Sequence, residues 1–221
     1  MRSFTARRVA STPMTTETIP PCFQTVEPLI LASASPRRRE MLTAIGLQFR
    51  VEAAEADERV LPGEAPQAFV VRVAKDKARI VAARCPGTWI LAADTVVVQN
   101  GEILGKPVNA EDAASMLKRL AGHEHEVWTG FCLCHSGQDR QVCRAVKTEV
   151  QFADLPDPVI QAYVRSGDPM DKAGSYGIQS QGGFMVRGIC GSYSNVVGLP
   201  LAEVLSEMTA LGLIQAAESG D

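Results

Sequence analysis

The chain has 221 residues, 46% of them hydrophobic and 21% charged, and a net charge of −3. That size and balance suit one soluble globular domain, or two small lobes on a shared core. They exclude a broad electrostatic grip on nucleic acid, and no apolar run approaches the roughly 18 residues of a membrane-spanning helix.

Residues 1–26 carry Arg2, Arg7 and Arg8 against one acid, Glu17, with many Ser and Thr and little periodicity. They read as a disordered leader, with Met14 an alternative start, or as a mitochondrial transit peptide. The folded domain is expected over 27–214 and a fraying tail over 215–221. Residues 28–33 read as a buried strand. Ser35 and Pro36 supply an N-cap and an N1 residue for a helix to about Ile45, and Gly46 ends it. A second short strand follows over 48–53. Residues 54–66 form an acidic loop with Pro62, Gly63 and Pro66.

A helical pattern covers 65–83, and a long apolar strand 88–98 ends at the hairpin signal Asn100-Gly101. Asn109 caps a helix through Leu120. Strands over 126–134 and 141–152 flank a Ser136-Gly137 turn. A short helix spans 157–165, a Gly-rich loop 166–183, a strand 184–189 and a closing helix 200–211. The alternation predicts an α/β fold with a mixed sheet and flanking helices.

Several charges stand where charge is costly. On the 65–83 helix, Val70, Val73, Ala74 and Val81 share one stripe at the helical period, and Lys77 lies near its centre. A lysine there is either a snorkelling stem at a lobe edge or an ammonium completed by an anion. Asp94 interrupts Trp89–Val98, an otherwise apolar strand, so its carboxylate needs a cation, a partner or a proton. Gly101–Pro107 resembles a P-loop but is one residue short and has Pro107 where the metal-binding hydroxyl belongs. Its stiff turn still presents Lys106. Glu55, Asp57 and Glu58 in the acidic loop are a solvated cluster or partial ligands for Mg²⁺. Arg37 and Arg38 sit in the first turn after Pro36, where the helix dipole favours an anion. Arg39 reads as solvated.

Six cysteines, at 22, 85, 132, 134, 143 and 190, read as reduced thiols of a cytosolic protein. Cys132-x-Cys134-His135 tempts a zinc reading, but in a strand His135 points away from the two thiols. His123 and His125 have no further ligand in view, and no Ser-His-Asp or Cys-His set is visible. Cations with a few acids are what polyphosphate chemistry with a divalent metal requires.

Five segments together resemble the Maf family of nucleoside triphosphate pyrophosphatases. They are Ser33–Arg38, Ala93–Val97, Gly105–Pro107, Asp171–Gln179 and Asn195–Pro200, and the likeness runs from about residue 28 to 213. It implies two lobes around a deep cleft, of the inosine triphosphatase type. It also implies a homodimer, Mg²⁺ or Mn²⁺ dependence, and cleavage between the α and β phosphates. It places Glu58, Lys77, Asp94 and Lys106 in the catalytic cleft, with Glu58 and Asp94 on the metal. It ties Arg37, Thr95 and Gln179 to base choice, and these residue types match the subgroup acting on dTTP and UTP. Ser33 and Arg38 are expected on the triphosphate. Hydrolysis of 7-methyl-GTP, or a nucleotide-binding role in cell division with little catalysis, stays open. One departure is Gly167-Asp168-Pro169 in place of the family's Gly-Glu-Pro, which shortens an acidic arm.

Overall fold

A computed structural model describes residues 20–217. The basic stretch containing Arg2, Arg7 and Arg8, with Met14, lies outside the described residues. The elements are β1 (Phe23–Thr25), β2 (Leu29–Leu31), α1 (Pro36–Ala44), β3 (Arg50–Val51), α2 (Pro66–Ala82), β4 (Trp89–Gln99) and β5 (Glu102–Leu104). They continue as α3 (Ala110–Leu120), β6 (Glu124–His135), β7 (Gln141–Phe152), α4 (Asp157–Arg165), β8 (Val186–Cys190), α5 (Tyr193–Val197), α6 (Leu201–Ala210) and β9 (Ile214–Ala216). Three 3-10 turns occupy Asp168–Asp171, Ala173–Ser175 and Gln181–Met185, within the Gly-rich loop.

The main sheet runs β3-β2-β4-β6-β7-β8, with β5 paired to β4. It is mixed: β2 pairs in parallel with β3 and β4, and the remaining pairs are antiparallel. Asn100 and Gly101 both have positive φ, as the tight β4–β5 turn requires. The Asn109 side chain accepts from the Asp112 amide at 2.8 Å and so caps α3. Ser35 holds the N-cap position of α1 but makes no side-chain cap. Its amide instead donates to Ser33 Oγ at 3.2 Å.

Three further features differ from the sequence reading. First, Phe23–Thr25, counted with the leader, pairs antiparallel with Ile214–Ala216, which crosses into the expected tail. Phe23 packs on the cluster holding Leu213 and Ile214, and three residues are too few to show a period. Second, α5 is a five-residue helix capped by Ser192, too short for a pattern. Third, Cys132 and Cys143 lie directly opposite on β6 and β7, 4.1 Å apart at Cα, with their sulfurs in contact. The spacing of the six cysteines did not reveal this pair, because cross-strand register is invisible in spacing. Cys132 and Cys134 do share the α2 side of the sheet, while His135 lies edge-on to Trp89.

The long strands serve two halves of the core. Residues 89–93 of β4 and 131–134 of β6 pack with β2, α1 and α6 on one face and with α2 on the other. Val96, Val97 and Val98, with Val127 and Trp128, belong to separate clusters around α3, α4 and the start of α2. Between the halves lies a polar waist, where Asp94 pairs with Gly130 and Thr95 with Thr129. At Gly130 the helix rests directly on the sheet. A Cβ there would lie 2.4 Å from the Val70 backbone carbonyl. The missing side chain lets α2 approach close beside Asp94.

Candidate active site

α2 buries Phe69, Val70, Val73, Ala74, Ala78 and Val81, and with them Lys77. The stripe read from periodicity is the stripe that packs. A buried ammonium needs an anion, and two are in place. Lys77 Nζ donates to Asp94 Oδ1 at 2.7 Å and pairs with Glu58 Oε1, also at 2.7 Å. Strand parity puts Asp94 on the α2 face of β4, and the loop before α2 brings Glu58 from the open side. The side chains of Lys77 and Asp94 are each 10% exposed, and that of Glu58 is 50% exposed. The constellation is anchored inside and opens to solvent through Glu58.

Partial burial pushes the Glu58 carboxyl up. The bonded Lys77 ammonium outweighs it, with help from Lys106 and Arg38, and holds Glu58 below the ordinary glutamate range. Lys106 is exposed, yet its charge reaches Glu58, so the Gly105–Pro107 loop belongs to the same neighbourhood. Asp57, by contrast, pairs with exposed Arg59 and takes no part in the constellation.

Thr95 points away from Asp94, to the opposite face. There it meets Arg38, the buried arginine of α1. Arg38 Nε donates to the Gly198 carbonyl at 2.7 Å. Nη1 donates to Ser33 Oγ at 3.1 Å and the Ala93 carbonyl at 2.8 Å, and Nη2 to Thr95 Oγ1 at 2.9 Å. Four of its five N–H groups are therefore engaged within the protein. Burial lowers the Arg38 guanidinium from its usual value, and the nearby Asp94 carboxylate opposes that shift. Thr95 Oγ1 also bonds Thr129 Oγ1 at 2.9 Å, and Thr129 reaches the Asn195 carbonyl at 3.1 Å. Asn195, fully buried, donates to the Val127 carbonyl and to Thr148. Sequence reasoning missed this ladder; the signal was a threonine in each of three strands, Thr95 on β4, Thr129 on β6 and Thr148 on β7.

Arg37 lies half-buried on the adjacent side of α1, with Nη1 3.1 Å from Asp171 Oδ2. Gln179 is exposed on the loop between 3-10 turns and makes no side-chain hydrogen bond among the described residues. Arg39 is exposed. The structure thus joins Glu58, Lys77 and Asp94 by contact, with Lys106 and Arg38 within electrostatic reach. Ser33, Arg38 and Thr95 form a second group behind β4, and Arg37 and Gln179 lie apart from both.

Among the described residues, no three His, Cys, Asp or Glu side chains form a metal cage. Glu58 and Asp94 converge on one ammonium, with the Glu58 carboxylate open to solvent. Two carboxylates of this kind fit a hard cation that takes its other oxygens from phosphate and water.

His125 has a structural task. It is buried in β6, bonds Tyr176 Oη through Nε2 at 2.9 Å, and packs edge-on to Phe152 and Tyr176. Burial holds its imidazole down from 6.5 to about 4. Between those values the unfolded chain binds the extra proton, so this residue costs stability as pH falls through that window. His125→Phe is expected to flatten the dependence of melting temperature on pH across that range. An unchanged slope would place the acid sensitivity elsewhere.

Comparison with known proteins agrees with the motif pattern. A family model described as Maf-like protein matches residues 28–211. The chain is 51% identical over 186 residues to a dTTP/UTP pyrophosphatase of Geobacter metallireducens, covering 84% of this chain and 97% of the relative. It is 50% identical over 185 residues to the dTTP/UTP pyrophosphatase of Myxococcus xanthus, covering 84% and 93%. An Anaeromyxobacter dehalogenans protein of the same name is 53% identical over 186 residues, covering 83% and 94%. With Asp94, Lys77 and Glu58 in contact and a match over most of its length, the chain belongs to the Maf-like protein family.

Proposed function

We propose that this protein hydrolyses nucleoside triphosphates, dTTP and UTP foremost, to the nucleoside monophosphate and pyrophosphate. The observation that carries the reading is the Glu58–Lys77–Asp94 constellation in a chain half identical to proteins named dTTP/UTP pyrophosphatase. A divalent cation, Mg²⁺ or Mn²⁺, would be held by Glu58 and Asp94 and would polarise the phosphoryl oxygens of the substrate. Asp94 orients water and accepts its proton at a carboxylate oxygen. Lys77 keeps that carboxylate in place, and with Lys106 it offsets negative charge on the pyrophosphate leaving group.

Arg38 contributes differently from a simple phosphate clamp. One Nη2 N–H remains outside its four protein bonds, so its contact with the triphosphate is single and its larger task is to hold the waist. Thr95 and Ser33 act with it as positioning residues. Arg37 and Gln179 face the base and select pyrimidines through hydrogen bonds that a wrong base leaves unpaired. A homodimer and a cytoplasmic location complete this reading on the family resemblance alone. No helix among the described residues is long and apolar enough to cross a membrane.

The test is pyrophosphate release from UTP, dTTP, CTP, ATP, GTP and 7-methyl-GTP, with Mg²⁺ and with chelator. The expected result is metal-dependent release fastest with UTP and dTTP. Preference for 7-methyl-GTP would overturn the substrate assignment. Binding without release would make the protein a nucleotide-binding regulator.

A further inference from the structure

A chain of alternating charges joins α1 to the Gly-rich loop. Arg37 Nη1 meets Asp171 Oδ2 at 3.1 Å. The other oxygen of Asp171 accepts from Lys172 Nζ at 2.7 Å. That ammonium also donates to the Asp168 carbonyl at 2.5 Å and to Asp168 Oδ1 at 3.1 Å, which uses all three of its N–H groups. Asp168 Oδ2 then accepts from Tyr163 Oη and from Ser180 Oγ, both at 2.6 Å. Ser180 is the chain neighbour of Gln179. We infer that Asp171, Lys172 and Asp168 are positioning residues that fix Arg37 and Gln179 relative to each other, and so set base selection. The inference rests on the proposed function, in which those two residues face the base.

The loop is built to close around this tie. A Cβ on Gly177 would lie 2.5 Å from Ser180 Oγ and 2.6 Å from Lys172 Cε, and one on Gly182 would lie 2.7 Å from Tyr163 Oη. Lys172 is buried, so its ammonium depends on the two aspartates. Burial pushes Asp171 and Asp168 up. Their partners, Lys172 and Arg37 for the first and Ser180, Tyr163 and Lys172 for the second, carry both below the ordinary aspartate range.

A latch serving only the loop would end at Lys172. The extra step to Arg37 joins segments 134 residues apart. The Asp171 side chain is 61% exposed, and an ion pair so open adds little stability. Its consequence is geometric. It holds a long arginine in one orientation, and it does so from the loop that carries Gln179. Asp168 is the hub: a single carboxylate serves Lys172, Tyr163 and Ser180.

The experiment compares kcat/KM for UTP with kcat/KM for GTP in the full chain. Asp171→Asn removes an exposed charge, while the introduced amide oxygen can still accept from Lys172 Nζ and Asp168 continues to balance that ammonium. It is expected to lower the UTP/GTP ratio about tenfold, the loss of one charge-assisted hydrogen bond, through KM for UTP with kcat nearly unchanged. Asp168→Asn is expected to do the same, and Asp168→Glu, which keeps the charge, to restore part of the ratio. In an Arg37→Met background Asp171→Asn should change the ratio no further, because Asp171 acts through Arg37. An unchanged ratio in Asp171→Asn, in a wild type that is active and selective, overturns the inference alone. An equal loss with and without Arg37 overturns it too and leaves a structural latch. A wild type releasing no pyrophosphate from any triphosphate overturns the proposed function, and this inference with it.

Discussion

Asp94→Asn is expected to lower kcat for pyrophosphate release from UTP by about 100-fold or more, the scale of general acid–base contributions. The substitution keeps the shape of the side chain in a packed strand. The introduced amide would still accept from Lys77 through its carbonyl oxygen, where the carboxylate now accepts at 2.7 Å. Glu58 would still balance the ammonium. The fold should therefore survive, with a melting temperature close to wild type, while the group that holds the cation and takes the proton is gone. Activity and melting are measured on the same preparation, with Mg²⁺ titrated. Recovery at high Mg²⁺ would make Asp94 chiefly a metal ligand. Near-normal turnover at ordinary Mg²⁺ would remove it from the chemistry.

Arg38→Met is expected to show the opposite balance, with stability lost first. Methionine fills much of the arginine's volume but bonds nothing. The Gly198 and Ala93 carbonyls, Ser33 Oγ and Thr95 Oγ1 all lose a donor. Stranding a buried acceptor costs about 1–3 kcal/mol, so a total of about 3 kcal/mol or more is expected even if water reaches one of them. Arg38→Lys should not rescue it, because an ammonium cannot span the fork of acceptors that a guanidinium reaches. Arg37→Met is the control. It breaks one solvent-exposed pair with Asp171, worth about 1 kcal/mol or less. Urea unfolding of the three variants decides the matter. Equal midpoints for Arg37→Met and Arg38→Met would mean that the Arg38 bonds do not brace the waist of the sheet.

The difference between these neighbouring arginines explains how much of the site could be read in advance. Lys77 and Asp94 were legible because each breaks a local rule: a charge in the middle of an apolar stripe, an acid inside an apolar strand. Helix and strand periods are local, so such violations are visible along the chain. Glu58 was harder, since acidic loops are commonly solvated, and only its approach to Lys77 separates it from exposed Asp57. Thr95 follows Asp94 directly in the chain. Strand alternation sends the two to opposite faces, one toward α2 and the other toward Arg38.

By itself, the order of residues determined the α/β alternation, the helix at Pro36 and the buried stripe of α2. It also determined the turn at Asn100-Gly101 and the charges that cannot be idle. Each follows from propensity or periodicity within about 20 residues of chain. Only the tertiary structure decided the pairing of Phe23–Thr25 with Ile214–Ala216 and the meeting of Cys132 with Cys143. Only it turned Arg38 into a brace and ran an ionic tie from Arg37 to Ser180. These depend on sheet register and on contacts between segments as much as 191 residues apart, as at Gln24 and Gln215. Such contacts are chosen by the packing of the whole core, and no local period records them.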